Sequence, residues 1–211
     1  MNQGSCVGLI LAGGKSSRMG QDKAQLKQIN HKSNLQNCVN LLIKSGVSKV
    51  VISGNYQKNL QQLLSNTKIT GNSLITDEGV EIISVSDRKP NLGPLSGIET
   101  VIHKMQPKKL IVIPIDMPLL TARLIKRLLK AIPENEVVYF KGHYLPLGIN
   151  INKNVKMHIR TVFSHPNRNQ HSIKNFIGMM KLKILTVSAN VEPMLDNFNT
   201  SEQWQRYLNK E

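Results

Sequence analysis

Acidic residues are scarce in this chain: 13 Asp and Glu stand against 28 Lys and Arg, leaving a formal charge of +15 over 211 residues. A surface so short of negative charge attracts polyanions, so nucleic acid, an anionic membrane surface and a polyphosphate substrate are all compatible with it. Aromatics are scarcer still, at 4%, and they are not interleaved with the basic residues. The stacking platforms that hold single-stranded nucleic acid are therefore not evident, which argues against a nucleic-acid partner. The two cysteines, Cys6 and Cys38, have neither C-x-x-C spacing nor a histidine at metal-ligand distance. Neither a zinc site nor a disulfide scaffold is indicated, and both cysteines are expected to be core thiols. No segment approaches the roughly 18 apolar residues of a membrane helix, and the N-terminus has no basic region followed by a signal-type apolar stretch. A cytoplasmic protein with no membrane partner is expected. Linkers, repeats and low-complexity tracts are missing too, so the length reads as one domain, 1–211, with a substantial core.

What the chain does have is a glycine turn at the end of an apolar run. Val7 to Leu11 is short, contains β-branched residues and is followed by a turn signal, which predicts a buried strand rather than a helix. Gly13 and Gly14 lack a Cβ, so a ligand can come close to their N–H groups, while Lys15, Arg18 and Lys23 surround the turn with cations. That combination suits phosphate, although a bare pair of glycines is also what an ordinary strand-to-helix turn shows. Two phosphate motifs can be tested and fail. In a P-loop ending at Gly14-Lys15-Ser16 the first glycine would fall at Leu9, and a dinucleotide fingerprint needs G-x-G-x-x-G where this chain has adjacent glycines and then Gly20.

The remaining elements alternate. Asn34 is expected to cap a helix carrying Leu35, Val39, Leu42 and Ile43 and ending near Gly46, and Val47 to Ser53 is β-rich, so this strand and the first should pair in parallel. Gln57 to Leu64 reads as helical, then a polar loop runs to about Val80 before a strand at Glu81 to Val85. Pro90, Gly93 and Pro94 force a loop after Ser86, and Leu95, Ile98, Val101, Ile102 and Met105 form a helical stripe behind it. Lys109 to Ile115 is the most continuous apolar β-rich run, as befits a central parallel strand. Asp116 therefore stands at the carboxyl end of a strand, the edge where open α/β sheets bind ligands and where the glycine turn also lies. A hard carboxylate there can hold Mg²⁺; the alternative is a cap for the next helix, for which Thr121 competes. Beyond it, Leu124 to Leu129 reads as helix, Val137 to Phe140 and Leu145 to Ile151 as strands, Ile173 to Met180 as helix and Leu182 to Val187 as strand. Thr200 should cap a last helix through Trp204 and Leu208.

The stretch L-A-G-G-x-S-x-R-M-G-x-D-K, from Leu11 to Lys23, resembles the signature of nucleotidyltransferases, and most closely that of the molybdenum cofactor guanylyltransferases. Asp87 with Gly93-Pro94-Leu95-Ser96-Gly97, Ile115-Asp116-Met117-Pro118, and Asn197-Phe198-Asn199-Thr200-Ser201 are similar to three further segments of that family. The resemblance implies a nucleotide-diphospho-sugar transferase-like fold: a three-layer α/β sandwich with a mostly parallel, Rossmann-like sheet and a small antiparallel element. It implies transfer of GMP from Mg²⁺-GTP to molybdopterin bearing molybdenum, with GTP, a molybdopterin-type phosphorylated acceptor and other molybdenum-cofactor proteins as partners. Carried over residue by residue, Leu11 and Ala12 line the base pocket, Gly13 and Gly14 meet the phosphates, and Asn55, Asp87 and Gly93 complete the nucleotide site. Arg18 and Lys23 stabilise charge, Asp116 holds the metal, and His143, Asn197 and Asn199 lie on the acceptor side. The chain departs from the family at Ser53, often Asn there, and at Leu145-Pro146-Leu147, where a polar trio is usual and His143 lies two places upstream. Base and acceptor therefore stay open. A CTP-dependent enzyme with a sugar- or polyol-phosphate acceptor fits the same residues, and a non-catalytic nucleotide-binding regulator would have been favoured by loss of Lys23 or Asp116, both of which are present.

Overall fold

A computed structural model of the protein describes residues 6–13, 22–90, 92–167 and 170–209. Its centre is one sheet of nine strands in the order β3-β4-β5-β2-β1-β6-β8-β7-β9. The apolar runs form the middle: β1 (Cys6–Leu11) is buried along its whole length and pairs in parallel with β2 (Lys49–Ser53) and β6 (Lys109–Pro114). β5 (Glu81–Val85) extends the parallel set beside β2. Strands covered on both faces need apolar residues at nearly every position, which is why these runs are continuous rather than alternating. β4 (Ser73–Thr76) and β8 (His143–Asn150) run against their neighbours, and β7 (Val137–Phe140) and β9 (Leu182–Leu185) close the far wing. The parallel centre is as expected from the sequence, whereas antiparallel pairs sit on both of its flanks rather than in one small element.

Side chains alternate between the two faces with period two. Cys6 and Ile10 of β1 pack with Leu35, Cys38 and Leu42 of α1 (Asn34–Ser45) and Leu124 and Leu128 of α4 (Ala122–Ala131). Val7, Leu9 and Leu11 point the other way, into a cluster that holds Leu95, Ile98 and Ile102 of α3 (Pro94–Met105) and also includes Val155 and Ile159 of α5 (Lys153–Ser164). The expectation of two core thiols holds, since Cys6 and Cys38 are free and buried.

Several boundaries differ from the sequence expectation. The helix predicted over Gln57 to Leu64 is only α2 (Leu60–Leu63), a single turn that packs Leu60 and, in part, Leu63 against the core. The predicted polar loop before Val80 contains a hairpin of β3 (Thr67–Thr70) and β4, turning at Gly71 with φ 60°. β3 is an exposed edge strand, so it lacks the alternation that marks a half-buried one. Helix α5 went unpredicted, although Val155, Ile159, Val162 and Phe163 share its buried face and Asn152 caps it by accepting from the Val155 amide. The helix predicted to reach Met180 is α6 (Ile173–Ile177), followed by Gly178, and the last strand stops at Leu185 rather than Val187. Helix α7 (Ser201–Leu208) begins as expected, with Thr200 and Gln203 forming a reciprocal capping box. Among the described residues no helix is long and apolar enough to cross a membrane.

Candidate active site

The parallel centre ends on one level. Leu11 is in register with Ser53 and with Pro114, and Ser53 with Val85. The chain leaving each strand keeps the pairing for one more residue: the Ala12 amide donates to Ser53 O (3.1 Å), that of Gly54 to Val85 O (3.0 Å) and that of Ile115 to Leu11 O (3.2 Å). Four loops are thereby fixed at one edge, and between them opens a cleft of about 670 Å³. Of the residues assigned by resemblance, Leu11, Ala12, Gly13, Lys23, Asn55, Asp87, Gly93, Asp116 and Asn197 line it. Gly14 and Arg18 lie outside the described residues.

At one end of the cleft, Lys23 Nζ is 3.0 Å from Asp116 Oδ2, with both side chains 16% exposed. The C-terminal N-x-N segment encloses this pair. Asn197 Nδ2 donates to Asp116 Oδ1 (2.8 Å), Asn199 Oδ1 accepts from Lys23 Nζ (3.0 Å), and the Phe198 amide donates to the Asp116 carbonyl (2.7 Å). An amide can turn either its donor or its acceptor outward, so one asparagine serves the anion and the other the cation. The Phe198 ring fixes the segment by packing edge-on against Trp204 and Tyr207 of α7. Asp116 is accordingly no helix cap. Thr121 occupies the N-cap position of α4, without a side-chain capping bond.

Two further partners were not assigned by sequence. Asn34, expected as the cap of α1, is displaced from that role by Ser33, whose hydroxyl accepts from the Gln36 amide. Asn34 is instead fully buried; its Nδ2 donates to Lys23 O (3.1 Å) and Ile115 O (2.6 Å), while Gln28 Nε2 donates to its Oδ1 (2.7 Å). This amide ties the backbone of Lys23 to the residue preceding Asp116. Ser53, 2% exposed, donates from Oγ to Asp87 Oδ1 (2.6 Å) and so aims that carboxylate along the cleft wall. The close approach of α3 that this needs depends on Gly97, where a Cβ would lie 2.7 Å from Ser53 Oγ and 2.8 Å from Leu11 Cδ2.

His143 does not reach this cleft. It lines a neighbouring cavity of about 500 Å³, with His171 and Lys174, that shares Pro94, Leu145 and Asn197 with the cleft. Asn197 thus stands where the two meet, whereas Asn199 lines neither and acts on Lys23. Behind the site, burial and then the nearby Asp116 charge push the Cys38 thiol up to about 12, which leaves it unreactive.

Among the described residues no cluster of three His, Cys, Asp or Glu side chains exists. Mg²⁺ is commonly bound by one or two carboxylates, with waters and substrate phosphates completing its shell. The Asp116 carboxylate, with lone pairs left on both oxygens after Lys23 and Asn197 are served, fits that donor set.

A family model for the MobA-like NTP transferase domain matches residues 8–171. The chain is 32% identical over 205 residues to a molybdenum cofactor guanylyltransferase of Xanthomonas euvesicatoria, covering 97% of this chain and 95% of that protein. Among solved structures it superposes on molybdopterin-guanine dinucleotide biosynthesis protein A from Archaeoglobus fulgidus with a TM-score of 0.65 at 15% identity, covering 95% of this chain and 96% of that one. It superposes equally well on the 4-diphosphocytidyl-2C-methyl-D-erythritol synthase of Anaerococcus prevotii, with a TM-score of 0.67 at 11% identity over 97% and 95% of the two chains. At such identities both show the fold alone.

Proposed function

The chain belongs to the MobA-like NTP transferase family, and from that premise we propose that this nucleotidyltransferase transfers GMP from Mg²⁺-GTP to molybdenum-bearing molybdopterin. The acceptor's terminal phosphate oxygen attacks the α-phosphorus, the bond from that phosphorus to the β-phosphate oxygen breaks, and pyrophosphate leaves with the bonding electrons. The observation that carries the reading is the Lys23–Asp116 pair, held by Asn197 and Asn199 at the end of the cleft where it meets the second cavity.

The chain's own residues act in three ways. The wall from Leu11 to Gly13 lies along the nucleotide, with the Gly13 N–H and Lys23 directed to phosphate oxygens. Arg18 adds a second cation to the developing charge. Asn197, bordering both cavities, sets the acceptor phosphate against the α-phosphorus, with His143 and Lys174 deeper on the acceptor side. Positioning of this kind and electrostatic support supply most of the rate in phosphoryl chemistry, since the protein forms no bond to the transferred group. Asp116 would hold the Mg²⁺, which when bound would supply positive charge against that of the departing pyrophosphate.

Asp87 supports the guanine assignment. A carboxylate fixed by Ser53 only accepts hydrogen bonds. Guanine offers it two adjacent donors, N1–H and the N2 amino group, whereas adenine and cytosine each set an acceptor beside their amino donor. Calorimetric titration with the four NTPs in Mg²⁺ should therefore give GTP the tightest binding. Preference for CTP would overturn the guanine assignment and favour the cytidylyl reading, while leaving the fold intact.

A further inference from the structure

Tyr56 stands outside the cleft lining, yet its hydroxyl reaches both ends of the segment that carries the glycine turn. Tyr56 Oη is 3.2 Å from the Ala12 carbonyl and 3.0 Å from Asp22 Oδ1. Asp22 Oδ1 also accepts from the Ala24 amide (3.0 Å), closing the turn on which Lys23 sits. The ring is mounted firmly. Gly54 adopts φ +145°, and a Cβ there would lie 2.6 Å from the Tyr56 ring, so glycine is what lets the ring lie against the backbone. The Tyr56 amide donates to Ser84 Oγ (3.2 Å), which in turn donates to Gly54 O (2.9 Å), tying the loop to β5.

We propose that Tyr56 and Asp22 form a clasp that positions Lys23 and the Ala12 wall for the nucleotide's polyphosphate, acting through those residues without touching the nucleotide. The proposal rests on the nucleotidyltransferase reading above. A phenol has one proton to give, and a carboxylate is a stronger acceptor than a neutral carbonyl, so the bond to Asp22 dominates and that to Ala12 is secondary. Burial, and then Asp22, raise the Tyr56 hydroxyl above its ordinary range, which keeps it a protonated donor under working conditions. The clasp also accounts for the aspartate of the Asp22-Lys23 pair, because its occupied oxygen orients the lysine beside it. With Asn34 donating to the Lys23 carbonyl, both polar groups of the peptide between Lys23 and Ala24 are tethered.

The test combines calorimetric binding of Mg²⁺-GTP with steady-state kinetics and thermal melting. Tyr56→Phe keeps the ring and removes the hydroxyl. It should weaken GTP binding about tenfold, the loss expected of one charge-assisted hydrogen bond, raise KM for GTP without changing KM for the acceptor, and leave the melting temperature close to wild type. Asp22→Asn, whose amide oxygen can still accept from Tyr56 and Ala24, should lose less than Asp22→Ala. The double variant Tyr56→Phe/Asp22→Ala should bind no worse than Asp22→Ala. Wild-type GTP affinity in Tyr56→Phe, or additive losses in the double variant, would overturn the clasp. A greater loss in Asp22→Asn than in Asp22→Ala would overturn it as well. If the wild-type protein itself binds no NTP, the functional reading falls and the clasp with it, an outcome visible before any variant is made.

Discussion

Asp116→Asn is expected to lower Mg²⁺-dependent turnover by about 10³ or more, at the upper end of what loss of one electrostatic contact costs at a reacting centre, while the protein stays folded. The two side chains have nearly the same shape, and the backbone bond from the Phe198 amide to residue 116 is indifferent to the change. What changes is charge and donor pattern. Asp116 accepts from Lys23 at one oxygen and from Asn197 at the other. An asparagine offers one oxygen, so its NH₂ must face one of those two donors, and it presents no negative charge to a cation. A partly exposed ion pair contributes only about 1 kcal/mol or less to stability, so the melting temperature should shift little. Turnover near wild type at ordinary Mg²⁺ would show that the metal is held elsewhere.

Lys23→Ala should be the next most damaging change, lowering turnover on the order of 10² to 10³. In the free protein its ammonium is shared between Asp116 and Asn199. Binding of a polyphosphate gives it a stronger partner, so the lysine acts more on the charge that builds as pyrophosphate leaves than on the resting fold. The substitution also leaves Asp116 without its cation, which adds repulsion against the incoming nucleotide. Rate and nucleotide affinity should therefore fall together, with acceptor KM unchanged at saturating GTP. Lys23→Arg would rescue only in part, because a planar guanidinium cannot take the place of a compact ammonium between two oxygens. Turnover retained in Lys23→Ala would remove the lysine from the chemistry.

The parts of this site that were legible in the sequence are those with a local signal. Val7 to Leu11 reads as a strand from its apolar run, Gly13 as the turn after it, and Asp116 as the end of another apolar run; the sheet then brings them to one edge. Thr200 with Gln203 has the spacing of a capping box and forms one. Ser53 with Asp87, Asn34 with Ile115 and Asn199 with Lys23 carry no such signal. Each is a bond between polar groups far apart in the chain, and nothing in a window of neighbours distinguishes a serine that orients a carboxylate from one that faces water. Asn34 is instructive, since a residue of its type before an apolar stripe has the pattern of a cap. Ser33, one place earlier, takes that role and frees the amide to bridge two carbonyls in the core. The edge strand β3 was hidden for another reason: its exposed residues leave no hydrophobic period to read. Helix α5, by contrast, had that period in Val155, Ile159 and Val162 and was within reach of it.

The central claim is that this cleft moves a guanylyl group onto a phosphorylated acceptor. It is tested most directly by incubating the protein with molybdenum-bearing molybdopterin, Mg²⁺ and GTP labelled at either the α- or the γ-phosphate, and following where the label goes. The α-label should pass into a guanine dinucleotide and the γ-label into pyrophosphate, in equal amounts. Release of γ-label as inorganic phosphate, or no transfer of α-label to the acceptor while GTP is bound, would contradict it.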